Sequence, residues 1–260
     1  ELDIYRQNMK QKLEVNLKKC DFVSNRLIDE YLFGINHPYG KYSSTIAYDA
    51  LHPEQLRRFF DQYYVNGHCT IFVAGKLPHN IETLLNENFG SLPLNKAQLP
   101  HLTHPAEAAT EKKYRIINDK EGIQGAIRIA SHFPGIHHPH FTKAQVLNTL
   151  FGGYFGSRLM SNIREDKGYT YGIHSYMQNH VQQSAWMIST EAGKEVCEAT
   201  ITEVYKEMQV LREKTVSEEE LLLVKNFLIG TILGDLDGPF HIIGRWKNII
   251  LNELAEDYFY

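Results

Sequence analysis

The stretch from Gly152 to Gly172, GGYFGSRLMSNIREDKGYTYG, constrains the fold more than any other part of the chain. Its glycines permit close backbone approach and dihedral angles that other residues avoid. The middle, RLMSNIRED, predicts a short helix that Ser157 caps and that a turn at Gly168 ends. Tyr171 then lies at the start of a strand. The sequence therefore predicts a helix, a glycine turn and a strand in immediate succession.

Arg164 and Tyr171 are the candidate functional residues of this stretch. Arg164 lies near the end of the predicted helix, where the helix dipole favours a cation. The adjoining turn can bring its guanidinium and the phenol of Tyr171 to one surface. Both groups can donate hydrogen bonds to peptide carbonyls, and a phenol can stabilise developing oxyanion charge. The alternative is that Arg164 pairs with a surface carboxylate and that Tyr171 is half-buried packing.

The first third of the chain predicts helix, helix, strand and helix. Apolar residues at helical spacing predict one helix from the N-terminus to Gly34. HPEQLRRFFDQYY predicts a second helix, with Pro53 in its first turn. The β-branched run HCTIFVAG predicts a buried strand, and NIETLLNENFG predicts a helix that ends at Gly90.

A proline-rich interval from Ser91 to Lys113 predicts a linker. It divides the chain into the C-terminal part of a first domain (1–92), a linker (93–113) and a second domain (114–260). The chain starts without a methionine and ends amid apolar and acidic residues. We therefore expect a piece of a longer protein, with the second domain truncated at its end.

The second domain predicts strands at YRIIN and GAIRIASHF, then a helix at FTKAQVLNTLF. A strand pair, TYGIHSYMQ and SAWMISTEA, follows the glycine-rich stretch. Three final helices are predicted: one over 194–214, one opened by a capping box of Ser217 and Glu220, and one that starts near Pro239. Because few strands alternate with long helices, the pattern indicates an α+β sandwich for each domain.

Composition excludes several classes of function. The net charge of −4 argues against nucleic-acid binding, which requires surplus Lys and Arg. No apolar run approaches the roughly 18 residues that a transmembrane helix needs. Cys20, Cys69 and Cys197 form no CxxC pair, which favours free thiols. Free thiols leave the compartment open between cytoplasm and periplasm.

Histidines suggest a metal site, but their spacing argues against one. The densest group is His137, His138 and His140, and a second pair is His101 and His104. Neither group has the two histidines on one helix with an intervening acid that zinc catalysis uses. FGSRL is also not the GxSxG turn of serine hydrolases. We therefore predict no catalytic and no metal-binding residue in this chain.

The segment LNTLFGGYFGSRLMSNIREDKGYTYGIHSY resembles the C-terminal-domain signature of the M16 (pitrilysin, or insulinase-like) zinc metallopeptidases. That signature has Gly-Gly, Ser-Arg-Leu, Ile-Arg-Glu, a further Gly and a Tyr before a strand. HPYG with LHPEQLRRFFDQYYVNGHCTIFVAG is similar to the end of the family's preceding domain. DLDGPFHIIGRW is similar to a late helical region. Together these segments cover most of the chain in the family's order.

The resemblance implies two-layer α/β sandwich domains of the metallopeptidase (LuxS/MPP-like) type. Such domains pair, as homo- or heterodimers or within one chain, to enclose a proteolytic chamber. In the family one domain carries a zinc motif, HxxEH, and the other holds the peptide substrate through an Arg and a Tyr. By the motif match these two residues are Arg164 and Tyr171. The resemblance thus implies a zinc-dependent endopeptidase in which this chain supplies the substrate-binding half.

Two departures from the family bear on catalysis. HxxEH is absent from this chain. The family's third zinc ligand is a Glu, and its position falls near Lys12, two residues from Glu14. Residues two apart do not share a helix face, and a lysine would repel a dication. The resemblance therefore implies the inactive-domain type, with zinc in a homologous HxxEH-bearing partner. The alternative is a structural assembly subunit of the core-protein type that has no peptidase role.

Overall fold

The structure, a computed structural model, describes residues 1–65, 69–92, 102–107 and 109–256. Its α-helices are α1 (Leu2–Asn16), α2 (Cys20–Phe33), α3 (Thr45–Asp49), α4 (Pro53–Phe59), α5 (Ile81–Phe89), α6 (Phe141–Asn148), α7 (Cys197–Glu213), α8 (Glu218–Asp235) and α9 (Pro239–Leu251). Its strands are β1 (Gln124–Phe133), β2 (Thr170–Asn179) and β3 (Ser184–Gly193). Three π-helices are π1 (Phe60–Val65), π2 (Thr149–Gly153) and π3 (Met160–Asp166). Within these ranges no helix has the length and apolar character needed to cross a membrane.

The sequence predicts one N-terminal helix, but the structure has two, α1 and α2. The prediction is therefore wrong for residues 17–19, where the helix is interrupted. The chain leaves helical geometry at Lys19, where φ is −90° and ψ is 125°. The last turn of α1 is tightened by a hydrogen bond from the Lys19 N–H to the Asn16 carbonyl (2.9 Å). Leu17 is exposed at the break, so no buried contact holds the helix continuous. The end at Gly34 is confirmed, since this residue adopts a φ of +96° that favours glycine.

Two of the predicted strands are wrong. Residues 69–75 of HCTIFVAG carry no strand, and 114–118 of YRIIN carry none either. Ile71 and Ile117 are exposed, and no described strand pairs with either segment. A β-branched run forms a strand where a neighbour satisfies its backbone hydrogen bonds, and local sequence does not reveal that neighbour. His68 and residues 93–101 of the predicted linker lie outside the described residues.

The three strands form one antiparallel sheet in the order β1-β3-β2. Ile129 of β1 and Ser175 of β2 both face Ile188 of the central strand. The isoleucine side chains pack with residues of π3 and α7 into one core. Its buried members are Phe151, Leu159, Met160, Ile163, Ile173, Ile188 and Val204. Helices packed on an antiparallel sheet confirm the predicted α+β class.

The opposite side of the sheet packs against α2. Phe33 of α2 is buried with Ala185 and Met187 of β3. Arg128 of β1 donates hydrogen bonds to α2, at 2.7 Å to the side-chain oxygen of Asn25 and also to the carboxylate of Asp21. The Arg128 side chain is buried, and the half-exposed Asp21 carboxylate balances its charge.

Two compact units make up the chain. One consists of Glu1–Arg6, Ile46–Leu102 and Ile229–Tyr260. The other consists of Gln7–Thr45 and Thr103–Leu228, and it contains the sheet and the glycine-rich stretch. Contacts thus join segments that are distant in sequence, such as α2 and β1. The predicted domain boundaries at residues 92 and 113 stay a prediction.

Candidate functional site

The glycine-rich stretch folds in the predicted order of helix, turn and strand. π3 is followed by Gly168, whose φ is +65°, and then by β2. The Gly168 N–H bonds the Arg164 carbonyl at 3.2 Å, and the Tyr169 N–H bonds the Ile163 carbonyl at 3.0 Å. These bonds satisfy carbonyls that a helix end leaves free. The predicted helix is confirmed, and most of it is a π-helix, a form that is often found at functional sites.

The buried side of the stretch fixes its position against the sheet. Leu159 and Ile163 are fully buried in the core. A Cβ on Gly152 would lie 2.7 Å from the Ser175 hydroxyl oxygen and 2.8 Å from its backbone nitrogen. Glycine at 152 therefore lets π2 approach the backbone of β2 closely. This contact holds π2 against the middle of β2.

The predicted helix cap by Ser157 is wrong. The carbonyl of Ser157 accepts the Ser161 N–H at 2.9 Å, but its buried hydroxyl has no hydrogen-bond partner in the described part of the chain. Ser157 is 1% exposed, and its hydroxyl accepts no helix N–H group among the described residues. The local preference of serine for the capping position is thus not realised here.

Arg158 anchors the loop over residues 154–157 through an ion pair that the sequence pattern did not predict. Its Nε donates to Glu220 Oε1 at 2.6 Å, and its Nη2 donates to Glu220 Oε2 at 2.8 Å. These bonds raise the pKa of Arg158 and lower the pKa of Glu220, with burial opposing both shifts. Such a two-pronged pair is stronger and more directional than a single hydrogen bond. It ties the loop to the first turn of α8.

Of the two hydrogen bonds in the capping box predicted for α8, the structure has the one made by the Ser217 side chain. The Ser217 hydroxyl accepts the Glu220 N–H at 3.2 Å, as a capping residue does. The Glu220 carboxylate turns to Arg158 instead of reaching back to Ser217. A partner 62 residues earlier in the chain therefore replaces the local one.

Arg164 lies half-buried on π3 with its guanidinium over an aromatic ring. The guanidinium carbon is 4.5 Å from the centre of the Phe155 ring. Over the described ranges no carboxylate lies within ion-pair distance of Arg164. The geometry is that of a cation–π contact, which leaves the N–H donors of the guanidinium free of an acidic partner.

Tyr171 projects into solvent from a β-bulge. Its side chain is 93% exposed. Thr170 faces Ala192 and Ile173 faces Thr190, so two residues of β2, Tyr171 and Gly172, oppose a single residue of β3. Bulges of this kind re-aim a side chain at a sheet edge. Here the phenol is available to a ligand instead of being packing.

The histidines and acidic residues form no metal site in the described part of the chain. No group of three His, Cys, Asp or Glu side chains there could hold a metal ion. His137, His138 and His140 lie around a loop before α6, while His101 lies outside the described residues. The described residues thus do not fit a zinc ion, and the expectation that zinc belongs to a partner domain stays a prediction.

The proposed third-ligand position on α1 offers no better fit to a metal ion. Lys12 and Glu14 are both exposed, and they flank the buried Leu13. The helix therefore presents them to solvent on either side of its packed face. Within the described ranges, Glu14 belongs to no group of three His, Cys, Asp or Glu side chains that could hold a metal ion.

Comparisons with known proteins agree with the resemblance seen in the motifs. An uncharacterized zinc protease of Bacillus subtilis, YmxG, is 24% identical over 249 residues, which are 90% of this chain and 59% of that protein. A peptidase M16 inactive domain from Pseudomonas fluorescens superposes with a TM-score of 0.73 at 20% identity, over 99% of this chain and 61% of that one. A chain of Complex III2 from Candida albicans superposes with a TM-score of 0.73 at 14% identity, over 100% of this chain and 64% of that one. This chain thus spans about 60% of the length of the first two relatives.

The family described as "Peptidase M16 inactive domain" matches residues 50–228. This match covers more than half of the chain, including the whole glycine-rich stretch and all three strands. The match and the motif agree in both position and order. The chain therefore belongs to the peptidase M16 family and carries its inactive domain.

Proposed function

We propose that this chain supplies the substrate-binding, non-catalytic half of an M16-type zinc-dependent endopeptidase that acts on peptides. The observation that carries the proposal is the presentation of Arg164 and Tyr171 by one short segment. Arg164 has a guanidinium with no acidic partner among the described residues, and Tyr171 is 93% exposed. Peptide carbonyls accept hydrogen bonds, and they are bound best by N–H and O–H donors that are held rigidly.

Rigid support is provided on both sides of the two residues. The Arg158–Glu220 ion pair holds the loop before π3, and the fully buried side chain of Ile163 fixes π3 in the core. The hydroxyl of Thr170, next to Tyr171, donates to the Glu191 carbonyl at 2.6 Å and so fixes the bulge. Donors held in this way bind a peptide backbone with less loss of conformational entropy than mobile side chains do.

Hydrolysis belongs, in this proposal, to a homologous domain or subunit that bears HxxEH. The described residues of this chain hold no group that fits a metal ion, so they supply no zinc site of their own. We propose that the two halves pair, as a homo- or heterodimer or within one longer chain. This chain is expected to bind peptides and not to cleave them by itself.

Peptide affinity of two variants tests the proposal. We expect Arg164→Ala and Tyr171→Phe each to weaken binding of an unstructured peptide at least about tenfold, or roughly 1.4 kcal/mol. Arg212→Ala and Tyr205→Phe are matched controls, because both are exposed residues of α7 whose side chains make no hydrogen bond or ion pair with the described part of the chain. The controls should retain the wild-type Kd. Unchanged affinity in both Arg164 and Tyr171 variants would refute the proposal.

A structural assembly subunit is the second candidate function. The likeness to a chain of Complex III2 favours it, although at 14% identity that likeness shows the fold alone. A purely structural subunit does not need both an Arg164 that has no acidic partner among the described residues and an exposed Tyr171. Failure of the wild-type protein to bind any unstructured peptide, together with stable association with other subunits, would favour this candidate.

A further inference from the structure

Phe155 is an exposed aromatic residue between Tyr154 and Gly156, both of which lie in a tightly packed part of the chain. The half-buried ring of Tyr154 packs against Phe227 of α8, with ring centres 4.9 Å apart. A Cβ on Gly156 would lie 2.9 Å from the Tyr154 ring, so glycine permits the tight path of the chain there. While Tyr154 packs on α8, the neighbouring Phe155 is 60% exposed.

The exposed Phe155 ring has a defined partner in Arg164. The guanidinium carbon lies 4.5 Å from the ring centre, within the range over which a cation is attracted to an aromatic face. This contact restricts the rotamers of a long side chain that has no acidic partner in the described part of the chain. It therefore keeps the guanidinium donors close to the surface of the loop.

A large exposed aromatic ring also offers apolar area to a ligand. Exposed Phe is unfavourable in water, and anchored aromatic side chains are frequent centres of binding surfaces. Phe155 and the exposed Tyr171 are presented by one segment on either side of π3. A peptide whose backbone bonds Arg164 would thus bring a neighbouring side chain toward the Phe155 ring.

We propose that Phe155 is both a positioning residue for Arg164 and a specificity residue for the bound peptide. Its ring holds the guanidinium and contacts a large apolar or aromatic side chain near the carbonyl that Arg164 binds. The preferred substrates are therefore unstructured peptides with such a side chain. The selectivity part rests on the function proposed above, whereas the positioning of Arg164 does not.

Selectivity is tested with two peptides of equal length and of Gly/Ser background, one with a central Phe and one with a central Ala. We expect wild-type protein to bind the Phe peptide several-fold more tightly, and Phe155→Ala to bring the ratio of the two Kd values close to one. Tyr205→Ala is the matched control, since Tyr205 is a similarly exposed aromatic residue on α7 and should keep the ratio. An unchanged ratio in Phe155→Ala would overturn the selectivity.

Positioning is tested without any peptide, by NMR of the Arg164 side-chain Nε–H group. A guanidinium over a ring is expected to show an upfield ring-current shift, which Phe155→Leu should remove and Phe155→Tyr should retain. An Arg164 resonance that is the same in Phe155→Leu as in the wild type would overturn the positioning. If wild-type protein binds neither peptide, the proposed function and the selectivity both fail, while this resonance still decides the positioning.

Discussion

Substitution of Glu220 by Gln tests whether the Arg158–Glu220 ion pair anchors the candidate site. The change removes one charge but keeps the size of the side chain and one oxygen that can accept a hydrogen bond. It removes the hydrogen-bonded counter-ion of the half-buried Arg158 guanidinium and leaves only the longer-range electrostatic influence of Glu207. Nη1 of Arg158 already lacks a hydrogen-bond partner within the described ranges, so no second acceptor there compensates. We therefore expect the free energy of unfolding to fall.

Burial sets the size of this effect. The Arg158 side chain is 17% exposed and the Glu220 side chain is 28% exposed. Breaking a fully buried pair costs about 3–5 kcal/mol, whereas an exposed pair contributes about 0–1 kcal/mol. Because this pair lies between the two limits, we expect a loss of about 2 kcal/mol at pH 7.

The effect should depend on pH with a defined sign. The hydrogen bond from Arg158 lowers the pKa of Glu220 in the folded protein. Its contribution is thus fully present above the unfolded pKa of about 4.3 and is lost as the pH falls through the lower folded pKa. The difference between wild type and Glu220→Gln should shrink below about pH 4.

Urea unfolding followed by circular dichroism, at several pH values, measures this difference. Glu219→Gln is the control, since Glu219 is an exposed neighbour in the same helical turn and should change stability by less than about 0.5 kcal/mol. A loss in Glu220→Gln that matches the control, or one that is equally large at pH 3 and pH 7, would refute the anchoring role.

Three further predictions concern the same unit and an exposed thiol. Ile163→Ala, at a fully buried core position, should lower the free energy of unfolding by about 2–5 kcal/mol in urea titrations. Gly168→Ala meets open space but has a φ of +65°, and it should lower the free energy of unfolding by about 1 kcal/mol. Gly152→Ala would place a Cβ 2.8 Å from the backbone of β2 and should lower it by more. Equal losses of stability in the two variants would contradict the close approach of Gly152 to β2. Because burial raises the pKa of Cys197 while Cys69 is exposed, a maleimide at pH 7 should label Cys69 first, as peptide mass mapping would show.

Sequence reasoning identified the elements whose signals are local. The glycine end of α2 at Gly34, the cap of α8 by Ser217 and the β2–β3 strand pair all depend on nearby residues, and the structure has them as predicted. These features follow from backbone conformation and periodicity alone. The family motif added the candidate residues Arg164 and Tyr171, whose roles stay predictions.

Features that depend on distant partners could not be predicted in this way. The segment around Ile71 has the composition of a strand but no pairing strand in the described structure. Ser157 has the position of a helix cap, yet its buried hydroxyl accepts no helix N–H group among the described residues. The Arg158–Glu220 pair joins residues 62 positions apart, and the contact of Phe155 with Arg164 requires the fold of the loop.

The affinity of the double variant Arg164→Ala/Tyr171→Phe for an unstructured peptide tests the central claim most directly. Titration calorimetry on wild type, the double variant and an Arg212→Ala control gives the three Kd values under one set of conditions. If Arg164 and Tyr171 bind the peptide, the Kd should be at least about tenfold higher in the double variant, and the wild type and the control should have equal Kd values. The same Kd in all three proteins would contradict a substrate-binding role for Arg164 and Tyr171.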